Sequence, residues 1–145
     1  MSTLIIEKAK LKNLKDLIYL LFDDDLGKDR ENISETSFNN YKKSFMKILN
    51  DSYNEIFIMI LNDQIIGMMQ LTFIPGLSME GMTRCQIESV RIKKDYRNKG
   101  YGSELMKKGI EIAKLNKCGL IQLTSNKKRL KAINFYKKLG FLSTH

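Results

Sequence analysis

The chain has 145 residues, 43% of them hydrophobic, and a mean hydropathy of −0.30, which is enough to build one cored domain over 1–145 without disulfide or metal staples. No apolar run approaches a bilayer span and the N-terminus lacks a signal-peptide pattern, so a membrane protein is disfavoured. The formal charge of +9 is unevenly spread: residues 84–145 hold 16 Lys and Arg against 4 Asp and Glu, whereas residues 1–83 hold 9 against 12. A basic half suits a polyanion, either nucleic acid or a small polyphosphate, although lysines solvating helix faces explain much of it. Cys85 and Cys118 match no metal or redox spacing and are expected as buried free thiols in a reducing cytoplasm. His145 is the only histidine, so neither a histidine-based catalytic apparatus nor a metal centre is expected.

In chain order, Thr3 to Ala9 reads as a strand around Leu4, Ile5 and Ile6. A helix follows, with Asn13 as N-cap, Asp16 in its first turn and Leu14, Leu17, Ile18 and Leu21 as its buried stripe. Asp23-Asp24-Asp25-Leu26-Gly27 is an acidic loop, which either attracts a cationic partner or simply faces solvent. A second helix is expected from Glu35 to Leu49, burying Phe38, Tyr41, Phe45 and Ile48. Glu55–Leu61 and Ile65–Ile74 are apolar runs joined by Asn62-Asp63, which predicts a hairpin. Pro75-Gly76 and Gly81 then mark a loop.

The next strand, about Thr83 to Lys93, is irregular. Cys85 and Ile87 share one face by alternation, but Val90 and Ile92 have the opposite parity. A β-bulge near Glu88–Ser89 explains the switch, and a strand buried on both faces is the alternative. Such a bulge leaves Glu88 and nearby backbone groups unpaired beside the stretch that follows, Asp95-Tyr96-Arg97-Asn98-Lys99-Gly100-Tyr101-Gly102-Ser103. Beyond it, Leu105, Met106, Gly109, Ile110 and Ala113 form one apolar helical stripe. Strand, basic loop, two glycines and helix together converge N–H groups where the helix dipole is positive, a setting for an anion and most often a phosphate. The dinucleotide fingerprint fails because Leu105 stands where its third glycine is needed, and no Walker string occurs.

Gly119 is expected to end the helix, and Leu120 to Thr124 to form a buried strand. Ala132, Phe135, Tyr136 and Leu139 give a final helical stripe with Gly140 as C-terminal cap, and Phe141-Leu142 begins a last strand.

Arg97 to Gly102 has the form R-x-x-G-x-G and resembles the pyrophosphate-binding loop of the GNAT superfamily of acetyl-CoA-dependent N-acetyltransferases. Ala132-Ile133-Asn134-Phe135-Tyr136-Lys137-Lys138-Leu139-Gly140-Phe141 is similar to that family's A-x-x-F-Y-x-x-x-G-F segment, and the element order agrees over almost the whole chain. The resemblance implies an α/β (α+β) fold: a mixed, mostly antiparallel central sheet flanked by helices on both faces, in the order β-α-α-β-β-β-α-β-α-β. Only four residues follow Phe141, so either the sheet lacks its last strand or a neighbouring chain supplies one, as in a homodimer. It also implies an N-acetyltransferase that moves the acetyl group of acetyl-CoA to a primary amine of a small molecule or peptide, by direct attack in a ternary complex. Backbone groups of Val90 and Ile92 would then pair with the pantetheine arm like an added strand. The N–H groups of Arg97, Asn98, Lys99, Gly100, Tyr101, Gly102 and Ser103 would hold the pyrophosphate, and Asn134 would contact the cofactor. Tyr136 falls where the family's proton donor to the departing thiolate often stands, and Glu88 where a carboxylate removes the amine proton directly or through water.

Those roles suit the residue types. A protonated amine must lose a proton before it attacks a thioester, and a partly desolvated carboxylate can take it. A tyrosine hydroxyl can reprotonate a thiolate, and strand amides freed by a bulge can stabilise an oxyanion. Both side chains also have structural readings, Tyr136 as part of an apolar stripe and Glu88 as a solvated strand residue. One departure from the family pattern is Arg129, where many members carry Asn three residues before the helix alanine. Two other functions remain open, a non-catalytic acyl-CoA-binding domain and a basic nucleic-acid-binding module. The second lacks a recognition helix, an RNA-binding signature and an aromatic stacking platform.

Overall fold

The β2–β3 hairpin is the spine of the sheet. Strand β2 (Asn54–Leu61) turns through Asn62 and Asp63, both left-handed at φ 48° and 69°, into β3 (Gln64–Pro75). Two left-handed residues make the tight turn whose twist matches paired strands, and Asn and Asp tolerate that conformation better than most. In this computed structural model, residues 3–24, 26–124, 130–138 and 140–142 are described. Asp25, the basic run 126–129 with Arg129, Leu139 and His145 therefore lie outside the described residues.

The sheet has five strands in the order β1-β2-β3-β4-β5, with β1 spanning Leu4–Lys8, β4 Thr83–Ile92 and β5 Leu120–Leu123. All neighbours are antiparallel except β4 and β5, which run parallel. The parallel pair requires a crossover, and helix α5 (Tyr101–Leu115) supplies it. Helices α1 (Leu14–Phe22) and α3 (Glu35–Leu49) pack on one face of the sheet, with the four-residue α2 (Gly27–Arg30) between them in sequence. A short turn, α4 (Ser78–Gly81), joins β3 to β4, and α6 (Leu130–Lys138) follows β5.

Two apolar layers result. Leu14, Leu17, Ile18 and Phe45 meet Ile58 and Met68 on the α1/α3 face. Phe57, Met59, Met69, Leu71, Cys85 and Ile87 meet Leu105, Met106, Ile112 and Ala113 on the α5 face. Alternation along β2 and β3 thus feeds both layers, which is why these strands read as continuous apolar runs. The stripe of α5 uses Ile112 as well as the expected positions, while Ile110 is only half-buried.

Several expectations are corrected. Asn13 does not cap α1 with its side chain; its Oδ1 accepts the Lys10 N–H (2.8 Å) and closes a 3-10 turn at Leu11–Asn13. Helix α5 ends at Leu115 and is closed by Lys117, left-handed at φ 58°, two residues before Gly119. There the Cys118 N–H reaches the Ala113 carbonyl (3.0 Å) and the Lys117 N–H that of Lys114 (3.0 Å), the paired bonds of a Schellman stop. Cys118 is only half-buried, in contrast to Cys85; burial raises both thiols, that of Cys85 to about 11. Strand β5 is not a buried strand, since Leu120 is 44% exposed. Phe141 and Leu142 do not begin a strand, and no sixth strand occurs among the described residues.

Gly109 sets how closely α5 lies on the sheet. A Cβ there would stand 3.3 Å from Met69 Sδ and 3.4 Å from Ile87 Cδ1. Replacing Gly109 with Val is expected to lift the helix and cost about 1–3 kcal/mol in urea unfolding. Unchanged stability would show that the helix does not rest on this contact.

Candidate functional site

The expected irregularity in β4 is present. Glu88 pairs with Gln70 and Arg91 with Met68, so Ser89 and Val90 together face the single residue Met69. Ser89 absorbs the extra length with φ 53°, a bulge that restores parity. Val90 and Ile92 therefore pack against the same layer as Cys85 and Ile87, while Glu88 lies on the α1/α3 face.

The bulge coincides with the end of a strand pairing. Strand β5 follows β4 only from Arg84↔Leu120 to Ile87↔Leu123. From Glu88 onward that edge of β4 has no strand partner among the described residues. The Lys93 N–H reaches back to the Ile66 carbonyl on β3 (2.7 Å), so by alternation the backbone groups of Val90 and Ile92 point to the open edge. Their carbonyls each accept one arginine bond there, from Arg91 Nη1 (3.0 Å) and Arg97 Nε (2.8 Å). A carbonyl retains a second lone pair.

Past a 3-10 turn at Lys94–Tyr96 the chain curls through Asn98 (φ 62°) and Gly100 (φ 88°), and Gly100 is the N-cap of α5. Gly100 is favoured by its left-handed φ alone, since no atom lies within 4 Å of where a Cβ would sit and space does not exclude a side chain. The N–H groups of Asn98, Lys99, Gly100, Tyr101, Gly102 and Ser103 have no acceptor among the described residues. They are a helix start with its donors free, where an anion is favoured. Lys99 Nζ stands 5.9 Å over the Tyr96 ring, and Tyr96 Oη donates to Gln64 Oε1 (3.0 Å), which pins the loop's outer side.

Arg97 stands apart from the rest of this loop. Its own N–H goes to the Lys94 carbonyl (3.3 Å), and its guanidinium turns inward, to Ile92 O and to Asp23 O (2.6 Å). Asp23 also accepts the Lys94 N–H through Oδ2 (3.3 Å). The acidic loop after α1 is thus docked onto the glycine loop, and Asp24 Oδ2 accepts from the Gly27 N–H (3.1 Å) at the start of α2. Asp23 and Asp24 have structural tasks that the charge pattern alone did not reveal.

On the α5 side, Phe135 of α6 covers Gly102: a Cβ on Gly102 would meet the ring at 3.3 Å. Tyr136 packs beside it (ring centroids 5.4 Å) and against Phe141 (6.3 Å). Gly140 (φ 99°) ends the helix with the Phe141 N–H on the Tyr136 carbonyl (3.1 Å) and the Gly140 N–H on that of Lys137 (3.0 Å). The Gly-Phe pair is therefore a helix stop that fixes Tyr136 from behind. Asn134 is exposed on the same helix. Tyr136 packs with the layer under α5 and Glu88 lies on the α1/α3 face, so the two stand on opposite faces of the sheet. The described residues hold no cluster of His, Cys, Asp and Glu fit for a metal ion, and no helix among them is long and apolar enough to cross a membrane.

Residues 14–141 match the acetyltransferase (GNAT) family. A Bacillus halodurans C-125 protein described as a transcriptional regulator is 38% identical, superimposes with a TM-score of 0.94, and aligns over 99% of this chain and 95% of its own. More distant likenesses include a Clostridium acetobutylicum predicted acetyltransferase with acetyl-CoA, at 20% identity and TM-score 0.78 over 98% of this chain and 92% of that one. Another is Arabidopsis thaliana glucosamine-6-phosphate N-acetyltransferase, at 16% identity and TM-score 0.79 over 99% and 94%. The chain belongs to the acetyltransferase (GNAT) family and is an acyltransferase; acetyl-CoA is that family's cosubstrate.

Replacing Arg97 with Ala is expected to cost about 1 kcal/mol, by removing charged bonds to two carbonyls, and to speed amide exchange across residues 94–103. Lysine should not restore it, because one ammonium lacks the planar fork that spans both acceptors. Wild-type exchange in the Ala variant would rule out the clasp.

Proposed function

We propose that residues 1–145 form one N-acetyltransferase domain that transfers the acetyl group of acetyl-CoA to a primary amine of a small molecule or peptide, within a ternary complex. The observation that carries this reading is the open edge of β4 beyond Glu88, running directly into the free N–H groups of Asn98–Ser103. An extended arm can add to such an edge as a strand would, and its diphosphate then meets the helix start. The basic surplus of residues 84–145 favours the same polyanion.

In this mechanism Glu88 accepts a proton from the acceptor ammonium, directly or through water. The free amine nitrogen then bonds to the thioester carbonyl carbon. A backbone N–H on the outer edge of β4 stabilises the oxyanion, the nitrogen gives up its second proton to solvent as the C–S bond breaks, and the Tyr136 hydroxyl protonates the thiolate and is itself reprotonated from solvent. Supporting these roles, Glu88 makes no ion pair among the described residues, and the Tyr136 ring packs against Phe141 and against Phe135, which itself covers Gly102. Holding both reactants together supplies much of the remaining rate.

The decisive experiment is calorimetry with acetyl-CoA followed by free-thiol release in the presence of a panel of amines. Binding with amine-dependent thiol release is expected. Binding without release from any amine would favour a non-catalytic acyl-CoA-binding domain. The description of the Bacillus halodurans relative, together with the basic half, motivates one more arm: salt-sensitive association with duplex DNA, which would favour a nucleic-acid role.

Tyr136→Phe is expected to keep acetyl-CoA affinity and lower kcat roughly 10–1000-fold, since only the proton donor is lost. A turnover equal to wild type across pH would make Tyr136 purely structural. Glu88→Gln is expected to lose activity near neutrality and regain part of it at higher pH, where more acceptor amine is already free. A flat, wild-type profile would remove Glu88 from proton transfer.

A further inference from the structure

The α1/α3 face of the sheet is not apolar throughout. Asn54, Thr72, Gln86 and Gln122 are paired in register across β2, β3, β4 and β5, so they form one polar row. Each is half-buried. Thr72 Oγ1 donates to Asn54 Oδ1 (2.7 Å), and Gln122 Nε2 donates to Gln86 Oε1 (3.1 Å). Asn54 is further tied by its Nδ2 donating to Asp51 Oδ2 (2.9 Å) and its Oδ1 accepting from Gln70 Nε2 (3.5 Å), so the Gln86 and Gln122 amides are the ones with further donors and acceptors to offer.

The row lies between two opposite charges on β4. Two residues to one side stands Glu88, on the same face by alternation; two residues to the other stands Arg84. Among the described residues Arg84 makes no ion pair and its buried Nε has no hydrogen-bond partner. A guanidinium N–H withdrawn from water without an acceptor is costly, and an anion is the group that satisfies it. From Glu88 to Arg84 the backbone covers about 13 Å at the usual strand rise.

We propose that this polar row is the acceptor subsite and that it takes an extended, hydrogen-bonding amine carrying an anionic group at its far end. The proposal rests on the acetyltransferase reading for its direction, with the amine at Glu88 and the anion at Arg84. Amide or hydroxyl groups between them cross the row at Gln86, beside its cross-strand neighbours Thr72 and Gln122. A peptide with a free carboxylate and an amino sugar bearing a phosphate share this chemistry. A short hydrophobic amine satisfies neither end.

The test uses the full chain with acetyl-CoA present. The probes are glycine peptides of two to four residues, each as carboxylate and as amide, and an amino sugar with and without a phosphate. Binding is read by calorimetry with CoA in place of acetyl-CoA, and reaction by thiol release. The anionic member of at least one pair is expected to bind about tenfold more tightly than its neutral counterpart, and the pair that shows it identifies carboxylate or phosphate. In Arg84→Gln that preference should fall below about twofold, and Arg84→Lys should keep part of it. Gln122→Leu should weaken both members of the pair, which preserves a readout if Arg84→Gln fails to fold.

Equal affinity within every pair, no binding of any probe, or a preference that survives in Arg84→Gln overturns the proposal. Normal thiol release without Arg84-dependent selectivity sinks this subsite and leaves the acetyltransferase reading standing. Arg84-dependent binding without thiol release does the reverse.

Discussion

One extra residue in β4 determines most of what the site can do. Because Ser89 takes a left-handed conformation opposite Met69, the strand changes parity without leaving the sheet. Val90 and Ile92 are returned to the layer under α5, and the strand is re-aimed toward Asn98–Ser103. Left-handed backbone is unfavourable for a residue with a Cβ, by about 1–2 kcal/mol. The packing of Ile87 on one side and Val90 on the other offsets that strain, and strained backbone of this kind is concentrated at functional sites.

Two tethers complete the arrangement. Arg97 binds the end of β4 to the loop after α1 through one guanidinium. Gly140 and Phe141 hold Tyr136 on the opposite face. The first tether fixes the path of the glycine loop, and the second fixes the Tyr136 ring. This is why a motif residue such as Arg97 can matter for binding without contacting a phosphate through its side chain.

Much of this was legible in the chain. The hairpin at Asn62-Asp63, the α3 boundaries and the parity switch near Ser89 all follow from local patterns that tertiary packing did not override. What escaped was of two kinds. Asn13, Lys117 and Asp24 satisfy backbone groups in their own turns, and several residue types can do that equally well. The polar row escaped because Gln70 and Thr72 sit inside an apolar run, and only cross-strand register shows that they line up with Gln86 and Glu88. A period-two check of β3 and β4 together contains that signal: polar at 70 and 72, polar again at 84, 86 and 88.

The order β1-β2-β3-β4-β5 also bears on how the protein opens. Strands β2, β3 and β4 form a meander of sequence neighbours, whereas β5 joins only after the α5 crossover and through a short parallel pairing. Parallel ladders are the weaker kind, and short edge strands are the first to exchange in a folded protein. The seam most prone to local unfolding is therefore the β4–β5 pairing, which stops where the open edge of β4 begins. A cosubstrate lying in that seam would act as a cross-brace, so occupancy and cooperativity of the fold are linked, and the ligand-free chain is the one most exposed to proteases and to edge-to-edge aggregation.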